Sequence, residues 1–195
     1  MRKFPVIFLV ISLAGCATLG SRSSDDPALM LRQAAELYSS ESDPVHAEQL
    51  IRDAMTIAVT RKDLAGLAES YRQYGLFFRS TAVGRFEAHY RDDGFLDRDA
   101  AFDARYENSI RYLRAAEVLF AKLRRFDALS EVYAGMAKTF LLMNNMPEAC
   151  EAFDLSISNH SEHQKALAAA SETPVKDPDP ENEYLKAMKQ QAGCQ

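Results

Sequence analysis

The side chains that could do chemistry beyond packing are three cysteines, four histidines and a knot of aspartates. A thiol is the best nucleophile of the ordinary side chains, yet neither Cys150 nor Cys194 has a histidine close by in sequence to act as its base. His160 and His163, with Glu162 between them, stand three apart and could share one helix face to hold a divalent metal, but no further ligand can be identified and the pattern reads as a solvated helix end. Asp92, Asp93, Asp97 and Asp99 around Gly94 have the composition of a calcium loop without the spacing of an EF-hand, and read as a solvated turn. The eight glycines are too scattered for a phosphate loop, and no serine sits in a Gly-x-Ser-x-Gly elbow. No catalytic residue, metal or cofactor is therefore expected, and the remaining cysteine, Cys16, carries the chemistry that the sequence does indicate.

Met1, Arg2 and Lys3 make a positive start, Phe4 to Ser12 make an apolar run, and Leu13, Ala14, Gly15 and Cys16 close it with small residues before the thiol. The run is too short to span a bilayer core, which takes about 20 apolar residues. In order and spacing this resembles the lipobox of bacterial lipoproteins. The resemblance implies that residues 1–15 are removed, that Cys16 carries a diacylglycerol and becomes the first residue, and that two or three acyl chains give a stable membrane anchor. Ala17 and Thr18, where an aspartate would favour retention in the inner membrane, imply the periplasmic face of the outer membrane. The competing readings are a secretory signal with a chance cysteine and a buried N-terminal helix.

Export leaves Cys150 and Cys194 as an even pair in an oxidising compartment. A disulfide closing that loop would stabilise the fold by about 4 kcal/mol in the chain-entropy model. The alternative is a small core residue at 150 and a loose thiol at 194. Without Arg2 and Lys3 the chain carries 21 basic against 28 acidic residues, a balance that argues against nucleic acid as a partner.

The elements that would position these residues are helices. Residues 16–27 read as the lipidated cysteine and a polar tether, with Asp26 and Pro27 opening the first helix. From there to 163 the apolar spacing is helical and strand-like alternation is missing, so the fold class expected is all-α. Tyr71-x-x-Tyr74-Gly75-x-x-Phe78 and Tyr133-x-x-Met136-Ala137-x-x-Phe140 align without gaps, with a fainter copy at Leu31, Ala34, Ala35 and Tyr38. Ala47, Ile51 and Ala54, then Ser109, Tyr112 and Ala115, then Ala149, Phe153 and Ser156 provide a matching second half. This order of large and small residues resembles the tetratricopeptide family. It implies a short right-handed stack of antiparallel helix pairs, in three units at 28–61, 64–124 and 127–160. The chain departs from that family in having leucine for the first aromatic of unit one, no tryptophan, and no prolines closing the repeats. A generic antiparallel helical bundle is the competing reading.

Unit two contains an insertion at 79–105, rich in aromatics (Phe86, Tyr90, Phe95, Phe102, with Tyr106 just beyond), arginines and aspartates. It reads either as a functional loop or as an extra helix packed on the stack. Residues 172–195 read as an acidic, proline-rich linker followed by a short helix at 183–191, whose Leu185 and Met188 dock on the last unit as a cap.

In the resembling family the first helices of the units line a concave groove. Those positions here are Arg32, Glu69, Arg72, Leu76, Arg79, Lys138, Leu141 and Leu142, a basic centre in an acidic protein. Such a groove would clamp an extended or helical segment of an envelope protein through its carboxylates and apolar side chains. The function expected is a non-enzymatic interaction scaffold or assembly factor, of the kind represented by lipoproteins that pilot secretins or assist β-barrel insertion. The alternatives are a cell-wall enzyme or its accessory, and a self-associating structural lipoprotein.

Overall fold

An aspartate followed directly by proline marks the start of a helix, because the carboxylate caps free N–H groups and proline needs no N–H in the first turn. In the computed structural model, which describes residues 26–171 and 179–194, Asp26 opens α1 (Pro27–Ser39) and Asp43 opens α2 (Pro44–Arg61) in this way. Asp63 caps α3 (Leu64–Phe78), its carboxylate accepting from the Ala65 and Gly66 amides. The insertion forms α4 (Thr81–Arg85), α5 (Glu87–Asp92) and a 3-10 turn at Phe102–Ala104. After it come α6 (Arg105–Lys122), α7 (Phe126–Leu142), α8 (Met146–Ser171) and α9 (Pro180–Gln191), the last again opened by aspartate and proline. The described residues are thus helical without strands. The lipobox, the tether to residue 25 and the stretch 172–178 lie outside the described residues. Among the described residues no helix is long and apolar enough to cross a membrane.

Four connections use one device. Glu41, Lys62, Arg124 and Asn144 each adopt φ between 54 and 56°. The next amide then turns back to the carbonyl five residues earlier: Ser42 to Leu37, Asp63 to Ala58, Arg125 to Phe120 and Asn145 to Phe140. This is the Schellman closure of a helix, which satisfies its last carbonyls and reverses the chain in a few residues. Helices joined by these turns therefore pack as antiparallel neighbours, α1 on α2, α2 on α3, α6 on α7 and α7 on α8, while α3 packs on α6 across the insertion.

Two groups of buried side chains hold the helices together. One centres on Tyr74, Phe77 and Phe78 of α3 with Ile51, Val83, Tyr90 and Phe95, and the other on Leu113, Val132, Met136 and Phe153. Tyr71 and Leu76 of α3 pack against both, so α3 joins them. The close approach of α3 to α6 depends on Gly75: a Cβ there would stand 2.7 Å from Leu113 Cγ and 3.0 Å from the Ser109 carbonyl oxygen.

Two details differ from the sequence reading. Helix α8 runs past 163 to Ser171, and α9 begins before 183. His160, expected at a solvated helix end, is buried, because its Nε2 pairs with Asp179 Oδ2 at 2.6 Å and clamps the start of α9 to α8. The rest of α9 is fastened by Leu185, which is buried, by Lys189 bonding Asp154 at 2.8 Å, and by a Cys150–Cys194 disulfide with Cα atoms 5.5 Å apart.

Gly75→Ala is expected to lower the stability by about 2 kcal/mol, since the added methyl meets a backbone carbonyl that cannot move alone. Lys62→Gly, which relieves a left-handed lysine, is expected to raise it by about 1 kcal/mol. Urea-unfolding midpoints of the two variants check both signs.

Candidate functional site

Helix α3 presents its buried aromatics to the core and, on another face, Arg72 and Leu76, with Arg79 at its C-cap, to a surface depression. Helix α7 contributes Glu131, Gly135 and Lys138 to it, and α9 contributes Glu181, Tyr184 and Leu185, closing a cleft of about 230 Å³. At Leu76 and Arg79 this cleft continues into a larger one of about 840 Å³, lined by Tyr38 of α1, Arg85 of α4, Arg105 and Tyr106 of α6, and Leu142 of α7. The two clefts share a wall and together form one groove.

The charges within the groove are not equivalent. Arg72 is largely covered and is spent on two carboxylates, Glu69 at 2.5 Å and Glu131 at 2.6 Å. Burial acts to raise the Glu69 carboxyl, but the hydrogen bonds and charge of Arg72, with a further bond from Gln73, outweigh it and hold Glu69 below the usual carboxylate range. Tyr38 donates to Gln73 at 2.8 Å, tying α1 to this cluster. Among the described residues Arg79 and Lys138 make no ion pair, and Arg79 Nε is buried without a hydrogen-bond partner. Burial lowers the pKa of Arg79, and it lowers that of Lys138 together with the neighbouring Arg79 charge. Arg105 stacks on Phe102 and Tyr106 at 4.5 Å from each ring, and Arg85 pairs with Glu41 at 2.6 Å.

Of the eight groove positions read from the sequence, Arg72, Leu76, Arg79 and Lys138 line the smaller cleft, and Leu142 lines the larger. Glu69 serves the groove through Arg72. Arg32 is exposed on α1 and lines neither cleft, and Leu141 packs against the second buried group instead. Sequence reading missed the contribution of α9 and that of Tyr38, Arg85, Arg105 and Tyr106, which reach the groove only through tertiary contact. Their arginine and tyrosine content was the available signal.

A separate cleft of about 510 Å³ lies between α2 and the insertion, lined by His46, Glu48, His89, Phe95 and Leu96 among others. Glu48, on the apolar stripe of α2, is buried and accepts from Tyr74 Oη at 2.5 Å and from the Leu96 amide at 2.8 Å. Burial raises its carboxyl above the ordinary range, against the opposing effect of those two bonds and of Arg52 and His89. Asp97, expected in a solvated turn, instead turns inward to Arg111 at 2.6 Å and Tyr112 Oη at 2.8 Å, while Asp92, Asp93 and Asp99 remain exposed. The Tyr112 hydroxyl is pushed up to about 12 by burial and by this bond. With Phe95 stacked on Tyr90 at 4.4 Å, these contacts make the insertion a packed part of the body. Among the described residues no three His, Cys, Asp or Glu side chains converge on a point that could hold a metal ion.

The raised Glu48 carboxyl gives stability that is present below its unfolded value of 4.5 and lost as pH rises through the higher folded value. Glu48→Gln keeps the acceptor oxygen and removes the ionisation. Its unfolding midpoint is expected to match the parent near about pH 4 and to exceed it at neutral pH. Glu48→Ala, which strands the Tyr74 hydroxyl and the Leu96 amide, is expected to cost about 3 kcal/mol at about pH 4 and less at neutral pH, where the parent has lost the contribution of the protonated carboxyl. Against models of protein families, curated proteins and solved structures, the chain gives no match.

Proposed function

We propose that this chain is an envelope lipoprotein, held by lipid on Cys16 at the periplasmic face of the outer membrane, and that it works by binding a peptide segment of another envelope protein in the groove between α1, α3, α7 and α9. The observation that carries the reading is the groove itself: an acidic protein concentrates Arg79, Lys138 and Arg105 beside Leu76, Leu142, Tyr38 and Tyr106, without pairing Arg79 or Lys138 to a carboxylate of its own. Apolar and aromatic surface interleaved with spare cations suits a segment that bears both apolar side chains and carboxylates. Support for the tetratricopeptide-like reading comes from the packed helix pairs α1–α2, α3–α6 and α7–α8, although α8 runs beyond the expected end of the third unit, and from the recurrent Schellman turns. On that reading α9 takes the place at which a fourth unit would begin.

An enzymatic reading would rest on the cleft at Glu48, whose carboxyl is perturbed. That carboxyl is engaged by Tyr74 and Leu96, which hold the insertion in place, so the binding reading is preferred.

Affinity capture from crosslinked envelopes tests the proposal, using the parent chain, Cys16→Ala and the double variant Lys138→Glu, Leu142→Asp. Lys138 is unpaired and Leu142 is exposed, so the double variant is expected to fold normally, with an unchanged circular dichroism melt. One dominant envelope protein is expected with the parent, lost with the double variant, and reduced with Cys16→Ala. Recovery of the bait alone, or equal recovery with the double variant, would remove the groove from the function.

A further inference from the structure

We propose that Arg79 and Lys138 form a carboxylate subsite at the junction of the two clefts, receiving one carboxylate of the bound peptide while Leu76 and Leu142 hold the apolar side chain beside it. This rests on the groove reading above and names the chemical group that the groove selects.

Two cations drawn together on the wall of a groove repel each other and lose hydration, which is unfavourable unless an anion joins them. Arg79 ends α3 and lines both clefts, and Lys138 faces it from α7. The acidic groups around the smaller cleft are engaged elsewhere. Glu69 and Glu131 are held by Arg72, and Glu181 leans towards His160 Nδ1 at 3.7 Å. Among the described residues Arg79 Nε has no hydrogen-bond acceptor, a donor that a folded protein rarely leaves unmet, and it belongs to a side chain that lines both clefts. Burial and its neighbour's charge both lower the pKa of Lys138, the direction expected of a cation that lacks its anion. A carboxylate has the size and the two acceptor oxygens to bridge a guanidinium and an ammonium. It could come from an acidic side chain or from a free chain end. The apolar lining argues for a peptide, because Leu76, Leu142, Tyr38 and Tyr106 offer contact area that a bare anion would leave empty.

The test is a titration of the full chain, 15N-labelled at arginine, followed through the Nε–Hε resonance of Arg79, which is assigned by its loss in Arg79→Lys. The probes are N-acetyl-leucine for a terminal carboxylate, the α-amide of N-acetyl-glutamic acid for a side-chain carboxylate, N-acetyl-leucinamide as the neutral control, and inorganic phosphate. A saturable shift at about millimolar concentration is expected with at least one carboxylate, within reach of a ligand of about a dozen heavy atoms. The response to the neutral amide is expected to be at least about tenfold weaker. Which of the two carboxylates binds more tightly identifies the source. Lys138→Met is expected to abolish the shift while leaving the other arginine resonances in place, which shows that the variant is folded. An equal response to the neutral amide, no response to either carboxylate up to about 100 mM, or an undiminished response in Lys138→Met would overturn the proposal. A preference for phosphate over both carboxylates would overturn it as well, in favour of a phosphate ligand. If Arg79 is silent while the groove double variant still loses its captured partner, the groove stands and the subsite falls. A carboxylate response without any captured partner keeps the subsite and removes the adaptor.

Discussion

The approach of α3 to α6 at Gly75, with the Ser109 carbonyl and the Leu113 side chain against the bare Cα, fixes the helix on which both buried groups and the groove are built. Helices can come this close only where a side chain is missing, and the gain is a large contact between the aromatic row of α3 and its neighbour. Tyr74 lies 4.6 Å from Tyr112 and 4.6 Å from Phe78, and Phe78 stacks on Tyr112 at 5.6 Å. A rigid α3 can then carry opposite duties on its two faces. One face fills the core, and the other holds Arg72, Leu76 and Arg79 along the groove.

From the core face the same helix also orders the insertion. The Tyr74 hydroxyl sits between Glu48 and the Asp97 amide, and Asp97 in turn engages Arg111 and Tyr112. A buried carboxylate contributes little net stability of its own, but leaving its partners unsatisfied would be expensive. Glu48 and Asp97 therefore serve as fasteners: they select one placement of the segment between α5 and α6. That placement also brings Arg105 and Tyr106, at the start of α6, to the mouth of the larger cleft.

The electrostatics of the groove follow from which cations are already matched. Arg72 is held by Glu69 of its own helix, bridges α3 to α7 through Glu131, and so belongs to the scaffold. Among the described residues Arg79 and Lys138 have no such partners, which separates cations that hold the fold from cations left unmatched in the groove. Helix α9 completes the wall with Glu181 and Tyr184, fixed by His160–Asp179 at one end and by the disulfide at the other. A helix fixed at both ends gives the groove a defined boundary.

Much of this was legible locally. Asp26 and Pro27 gave the start of the first helix, the 3.6-residue stripe identified Tyr74, Gly75 and Phe78 as a packing face, and four of the eight groove positions share the cleft that the fold builds between α3 and α7. Other readings failed because their outcome depended on a distant partner. His160 looked solvated, since its partner Asp179 stands 19 residues further along the chain. Asp97 looked like part of a polar turn, although Arg111 and Tyr112 draw it inward. Leu141 and Leu142 are adjacent in sequence, yet the rotation of α7 turns one to the core and leaves the other in the groove. By itself the sequence determined the helical class, the start of the first helix and the packing stripe of α3, because capping, proline geometry and side-chain periodicity act over a few residues. Only the tertiary structure decided which charges neutralise one another and which stay unpaired in the groove, because pairing acts across a few ångströms of space between helices whose separation is set by their packing.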